Sequence, residues 1–431
     1  MEMPKIYVNP PRSEWPALTA RCTRQEEEIG ERVAAILAEV RTGGDAALRR
    51  IVRRIEGYVP ETFEVTRERR AEAAKAVSPQ LQAALEQAKA NIEAFHRAQL
   101  PAQVEVETMP GVRCVQRAVA IGRAGLYIPG GKAPLFSTVL MLALPARIAG
   151  CREVILCTPC GRDGRIAPEI LYAADLCGVD RVFALGGAQA VAAMAYGTES
   201  IPRVDKIFGP GNRYVTKAKQ LAGAADVAVD LPAGPSEVLV LADEDARPEF
   251  AAADLLSQAE HGDDSQAVLV CRSEEFARRA IASVGEQAAR LSRREAIGNS
   301  LANSRIVVFS DPDEQIAFAD AYAPEHLIVA MRDAWDAAAR ITAAGSVFIG
   351  GYSPESAGDY ASGTNHTLPT GGWARAYSGV NTESFMRKIT YQELTRGGLE
   401  ALAPTITAMA EAEGLDAHAN AVRIRTEGGA R

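Results

Sequence analysis

The chain has five histidines, and four of them, His261, His326, His366 and His418, lie in its second half beside acidic or amide side chains. An imidazole with oxygen donors can hold a divalent cation, and an imidazole beside a carboxylate can move protons near neutral pH. In DLLSQAEHG (254–262), Gln258 and His261 stand three residues apart, on one face of a helix that Gly262 would stop. In APEHL (323–327), Glu325 adjoins His326 just before an apolar run, a pairing suited to general acid–base work. The Gly/Ser-rich stretch 350–369 carries Asp359 as a candidate ligand and His366 as a candidate substrate contact. EGLDAHANA (413–421) adds Glu413 and His418 in the tail. Gln258, His261, Asp359 and His418 would make an N/O donor set with two imidazoles, which suits Zn²⁺ and also fits Mn²⁺ or Co²⁺. No local spacing brings the four together. Taken singly, each cluster fits a solvated helix end, a turn or a surface loop better than a site. His96, in NIEAFHRAQL, reads as a surface or boundary histidine.

Elements that could position these residues are visible in the hydrophobic pattern. Residues 24–100 are charged and Ala-rich, with apolar residues at three- and four-residue spacing, and read as helices. From Val112 to about Gly350, short apolar runs (RAVAIGRAGLYIP, EVILCTP, RVFALGG, KIFGP, SEVLVLAD, QAVLVCR, RIVVFS, SVFIGG) alternate with helical stretches. Near-continuous apolar strands between helices indicate parallel sheets covered on both faces. Two such runs, 120–235 and 236–350, read as two α/β domains. The stretch 350–369 follows a strand, and α/β ligand sites form at the carboxyl ends of parallel strands. The tail from 380 reads as helical, with a break at Gly414.

Three other motifs fall short of the chemistry they suggest. PGGKAP (129–134) lacks the Gly and the Ser or Thr of a phosphate loop, having Leu126 and Ala133 there. GPGNRY (209–214) begins like a dinucleotide fingerprint and ends in Tyr214, although its place between a strand and a helix suits a backbone turn near a ligand. Cys157 and Cys160 have redox spacing but no second pair to complete a zinc site, and read as small residues near a strand end.

With 431 residues, 47% hydrophobic and 24% charged, the chain is an ordinary folded protein with apolar material for several cores. Lys and Arg number 47 against 55 Asp and Glu, a net charge of −8, so no global basic footprint for nucleic acid is present. Seven scattered cysteines argue for a reducing compartment. The N-terminal residues have no apolar core of a signal peptide, and no apolar stretch suits a membrane span, so a cytoplasmic location is expected.

GLYIPGGKAPLFSTVLM, GGAQAVAAMAYGT, KIFGPGNRYVTKAK, AGPSEVLVLAD, DLLSQAEHG, APEHL, SPESAGDYASGTNHTLPT and EGLDAHANA occur in this order. In them the chain closely resembles the histidinol dehydrogenase family over nearly its whole length. The resemblance implies an NAD-dependent, zinc-dependent oxidation of L-histidinol to L-histidine by way of L-histidinal, using two NAD⁺ and water, the last step of histidine biosynthesis. It places one Zn²⁺ per subunit on Gln258, His261, Asp359 and His418, and the catalytic pair on Glu325 and His326. Substrate contacts fall on Ser236, Gln258, His261, His326, Asp359, His366, Glu413 and His418, and NAD contacts on Tyr127, Gln189 and Asn212. It further implies a homodimer whose tail completes the partner's active site, with two incomplete Rossmann-like parallel-sheet domains and helical appendages at both ends. The expected division is a helical segment 1–23, a first α/β domain from 24–126 and 237–379, a second, NAD-binding one from 127–236, and a tail 380–431. The nearest rival is a sister dehydrogenase of the same fold acting on another small alcohol, such as a sulfonated diol; a zinc hydrolase and a non-catalytic metal-binding protein stand further off.

Overall fold

Fifteen strands build three sheets among the described residues of a computed structural model, namely 3–21, 27–130, 134–161, 163–232 and 234–427. Cys22 and residues 131–133 of PGGKAP lie outside them. The strands are β1 (Lys5–Val8), β2 (Glu64–Val65), β3 (Val104–Met109), β4 (Val112–Ala120), β5 (Arg123–Tyr127), β6 (Glu153–Thr158), β7 (Arg181–Ala184), β8 (Lys206–Phe208), β9 (Ala228–Val229), β10 (Glu237–Ala242), β11 (Gln266–Cys271), β12 (Arg305–Val308), β13 (His326–Ala330), β14 (Ser346–Ile349) and β15 (Met386–Leu394).

The first sheet is parallel throughout, in the order β1-β12-β11-β10-β13-β14. The second runs β2-β7-β6-β5-β8-β9 and is parallel except where β2 pairs with β7. Both sheets are wound alike. Three successive strands are laid outward from a centre, and the chain then returns to add two on the other side. The order therefore reverses between β10 and β13 in one sheet and between β5 and β8 in the other. Side chains of β10 alternate between two cores, Val238, Val240 and Ala242 on one face and Leu239 and Leu241 on the other, because successive residues of a strand point to opposite faces. Ala124 and Leu126 of β5 likewise face away from Tyr127. Burial on both faces is why these strands read as continuous apolar runs.

The fold differs from the sequence reading in four places. Residues 1–23 are not only helical, since β1 forms an edge of the first sheet. Helices Glu27–Glu56, Arg67–Ala74 and Pro79–Ala98 pack on helices that cover the second sheet, whereas 24–126 was expected beside 237–379. RAVAIGRAGLYIP is two strands. The Asp205 carboxylate accepts the Arg123 N–H (2.7 Å), and the chain bends at 121–122 between β4 and β5. The tail is not all helix, because β15 pairs along its whole length with β4 in an antiparallel β15-β4-β3 sheet. Its exposed alternation carries no continuous apolar run to mark it as a strand.

Beyond β15, helices Arg396–Ala412 and Asp416–Thr426 break at Gly414 (φ 71°) as expected and pack chiefly on each other. No helix of the described residues is long and apolar enough to cross a membrane. His96, expected at the surface, is buried. Its Nδ1–H donates to the Ile92 carbonyl (2.9 Å), and its Nε2 lies 3.3 Å from Asn365 Nδ2, which itself donates to the Met141 carbonyl (2.6 Å). It pins the 361–370 loop between two helices, a structural task.

Candidate active site

Glu325 and His326 sit at the amino-terminal edge of the first sheet. β13 opens at His326, in register with Val238 of β10 and Ser346 of β14. The chain enters this strand from helix Pro312–Tyr322 through Ala323, which holds a left-handed conformation (φ 51°, ψ 67°). A left-handed alanine costs roughly 1 kcal/mol, and such strain concentrates where geometry serves a site.

Glu325 is buried, and its Oε2 accepts the Glu237 N–H at 2.9 Å. Burial pushes its proton affinity up to about 8, against the opposing pull of His326. Behind it, Glu237 is gripped by Arg21 through two hydrogen bonds (2.7 and 2.9 Å), and the guanidinium lies 3.6 Å from the Tyr322 ring centre. Arg21 thus braces this edge of the sheet, which no motif announced.

The imidazole of His326 is ringed by carboxylates. Its Nδ1 is 3.6 Å from Glu325 Oε2 and 3.8 Å from Glu355 Oε1, and its Nε2 is 3.6 Å from Asp359 Oδ1. These are electrostatic contacts, too long for hydrogen bonds. Burial alone would lower the proton affinity, but Glu325, Glu355 and Asp359 outweigh it and raise it to about 10. Neither ring nitrogen has a hydrogen-bond partner, nor does either amide atom of buried Gln258 nor Glu355 Oε2. Buried polar atoms are nearly always paired, so this concentration marks a place prepared for a ligand.

Helix Pro248–Ala259 ends at this edge with Gln258 in its last turn; it stops short of the expected Gly262, and His261 follows in a turn whose N–H donates to the Gln258 carbonyl (3.2 Å). His261 is exposed, while its ring is crowded enough that desolvation, the largest influence on it, keeps its proton affinity low. A neutral imidazole is the form that binds metal. Helix Glu355–Tyr360 carries the chain back across the sheet after β14, so Asp359 reaches the amino-terminal edge. The expectation of a site at the carboxyl ends of these strands is therefore corrected by one short helix. Burial raises Asp359, but His326 and the other two histidines outweigh it, and it stays ionised.

His261, Glu355 and Asp359 each offer a ligand atom within 4.8 Å of one another. Sequence reasoning missed Glu355, although its place four residues before Asp359 puts both on one helical face. It is 1% exposed, and burial raises its proton affinity to about 8. Asp254, four residues before Gln258, was missed too; it is buried and pushed up to about 7. Nitrogen and carboxylate donors beside an unpartnered buried glutamine fit a divalent cation of the zinc class.

Ser236 lies at the same edge, directly before β10, and its carbonyl accepts the Gln266 N–H (3.1 Å). His366 spans the two halves of the molecule. Its Nδ1 lies 2.8 Å from the Asp359 carbonyl and its Nε2 3.2 Å from Thr138 Oγ1, in helix Phe136–Ala149 of the second sheet. Glu413 and His418 are exposed on the tail hairpin, and no tail residue is among the charges acting on His261, His326, Asp359 or His366. Within one chain, then, the structure gathers every site residue of the first sheet and leaves these two apart.

The residues expected to meet NAD stand at the carboxyl edge of the second sheet, where its strand order reverses. Such a crevice is where open α/β sheets take ligands. Tyr127 ends β5, and its hydroxyl accepts the Gly187 N–H (3.2 Å) at the start of helix Gly187–Tyr196. Gln189 is buried in that helix and donates to Glu56 (3.1 Å). Asn212 caps helix Arg213–Gly223, its Oδ1 accepting the N–H groups of Tyr214 (3.0 Å) and Val215 (3.2 Å).

Cys157 is fully buried in β6 and Cys160 half-buried beyond it, and burial raises both thiols. Neither is the low-affinity thiolate that redox chemistry needs. The Cys157→Ser and Cys160→Ser variants should each keep turnover within about twofold of wild type in a steady-state assay, while buried Cys157→Ser loses about 1–2 kcal/mol of stability.

A family model described as Histidinol dehydrogenase matches residues 19–426. The histidinol dehydrogenase of Bacteroides fragilis (strain YCH46) is 54% identical over 427 residues, 98% of this chain and 99% of that protein. That of Xylella fastidiosa (strain 9a5c) is 55% identical over 396 residues, 92% of each. The crystal structure of histidinol dehydrogenase from Elizabethkingia anophelis superposes with a TM-score of 0.97 at 46% identity, covering 99% of both chains. The resemblance read from the motifs thus holds along the whole chain, and the chain belongs to the histidinol dehydrogenase family of NAD-dependent oxidoreductases.

Proposed function

We propose that the chain oxidises L-histidinol through L-histidinal to L-histidine, with two NAD⁺ and one Zn²⁺ per active site. The observation that carries this reading is the buried His326 imidazole, both nitrogens unpartnered, set between Glu325 and the His261–Glu355–Asp359 donors. Gln258, His261 and Asp359, completed by His418, would hold the zinc. When bound, Zn²⁺ supplies a fixed positive charge that orients a nitrogen-bearing substrate and its carbinol for reaction. NAD⁺, held at Tyr127, Gln189 and Asn212, supplies the hydride acceptor.

The chain's own groups handle the protons. His326, neutral once a bound cation offsets the carboxylates that raise it, would take the alcohol proton at a ring nitrogen as the first hydride leaves. The aldehyde must then add water before a second hydride can go, and Glu325 takes the proton of that water. A carboxylate raised toward neutrality is a stronger base than an ordinary one and is matched to the task. Having passed its first proton to solvent, His326 accepts the proton of the resulting hydrate in the second oxidation. Ser236 and His366 flank the substrate, and Glu413 of the tail reads its far end. Holding the aldehyde between the two sheets keeps a reactive intermediate from escaping and from stray amines.

The tail hairpin supports a dimer with shared sites. Glu413 and His418 are displaced from their own chain's site, and Met409, Leu415 and Ile424 on the hairpin are 62, 42 and 61% exposed, an apolar surface that a second subunit would cover. The six cysteines among the described residues are all unpaired, in keeping with the cytoplasm.

The test is metal dependence. Exhaustive chelation should abolish histidinol-dependent NADH formation and zinc should restore it, with one zinc per chain by elemental analysis. Full activity in protein stripped of metal would refute the zinc assignment.

A further inference from the structure

We propose that Lys219 and Asp230 are positioning residues for the dinucleotide, acting through Gly209; this rests on the reading of the second sheet's reversal point as the NAD edge. Gly209 follows β8 and opens the Gly-Pro-Gly-Asn turn that leads to the Asn212 cap. Its backbone is left-handed (φ 123°), and a Cβ there would lie 2.1 Å from the Tyr127 carbonyl oxygen, so no larger residue fits. Both of its polar backbone groups lie off the strand ladder and need partners.

One buried ion pair supplies both. The Gly209 N–H donates to Asp230 Oδ2 (2.7 Å), and Lys219 Nζ donates to the Gly209 carbonyl (2.9 Å). Lys219 and Asp230 are themselves ion-paired, with side chains 7% and 2% exposed. A buried ion pair is a poor source of stability, because desolvation offsets most of the attraction and an apolar pair of equal volume often does as well. An apolar pair, however, could not hold a peptide N–H and a C=O at once. The clamp fixes Gly209 against the end of β5, and through it the spacing between Tyr127 and the Asn212 helix start. That spacing is the width of the crevice the dinucleotide would enter.

The test uses the full-length, zinc-loaded enzyme with Lys219→Met and, as a milder change that keeps an acceptor for Gly209, Asp230→Asn. Asn212→Ala serves as the reference for the NAD edge. NADH affinity is read by fluorescence titration, and KM for NAD⁺, KM for histidinol and kcat by steady-state kinetics. The expected result is a rise of about tenfold in KM for NAD⁺ and in the NADH dissociation constant, with KM for histidinol within about twofold and kcat at saturating NAD⁺ within about threefold. Lys219→Arg should recover part of the loss. Wild-type NADH affinity in a folded Lys219 or Asp230 variant, with Asn212→Ala weakened, would overturn the clamp and leave the NAD edge standing. Equal losses for NADH and histidinol together with a lowered Tm would reduce the pair to a structural role and also overturn it. NADH affinity unchanged in all variants, Asn212→Ala included, would overturn the NAD edge itself.

Discussion

Glu325→Gln should slow oxidation of L-histidinal by about 10²–10⁴-fold while slowing the first oxidation, alcohol to aldehyde, by less than about tenfold. The asymmetry follows from what each step asks of the carboxylate. The first needs a proton acceptor at the carbinol, which is His326. The second needs a hydrate, and so a base for water. Glutamine keeps the shape and an oxygen that can still accept the Glu237 N–H, so the edge of the sheet should stand. It also removes one of the three carboxylates that hold His326 at high proton affinity, which accounts for a small effect on the first step. Single-turnover NADH formation, started separately from histidinol and from histidinal, resolves the two. Equal damage to both would remove Glu325 from its assigned role.

The second large effect concerns the tail. His261→Ala and His418→Ala should each reduce turnover to below about one-hundredth of wild type, since each strips an imidazole from the proposed zinc site. If the tail serves the partner, a heterodimer of one His261→Ala and one His418→Ala subunit, purified on two different tags, has one intact site and one doubly broken site. It should recover about half of wild-type activity, the consequence of two-fold symmetry with shared sites. A heterodimer as inactive as its parents would place His418 in its own subunit's site or outside the site altogether.

Much of this architecture is written in the sequence at short range. β10, β11 and β13 are buried on both faces, so their apolar runs stand out, and the helix carrying Gln258 is legible in its pattern, although it ends at Ala259 rather than at Gly262. What stayed hidden depends on contacts between distant segments. Nothing in the charged N-terminal residues says that Arg21 braces Glu237 behind Glu325, across 216 positions. Exposed β15 lacks an apolar run, so only its pairing with β4 reveals it. Helices 27–98 are amphipathic in a way that fits either sheet, and tertiary packing alone assigns them to the second. The reversal of helix Glu355–Tyr360, which brings Asp359 and Glu355 to the opposite edge from the one expected, is likewise a matter of packing. The separation of Glu413 and His418 from the remaining site residues could be read from the motifs only through the family resemblance.

The most direct test of the account is the stoichiometry of NADH to histidinol in the zinc-loaded enzyme with NAD⁺ in excess, with the organic product identified. The account predicts two NADH for each L-histidinol consumed, L-histidine as the product and no free aldehyde in solution. One NADH per histidinol with L-histidinal released would contradict it, leaving a simple alcohol dehydrogenase in which Glu325 activates no water.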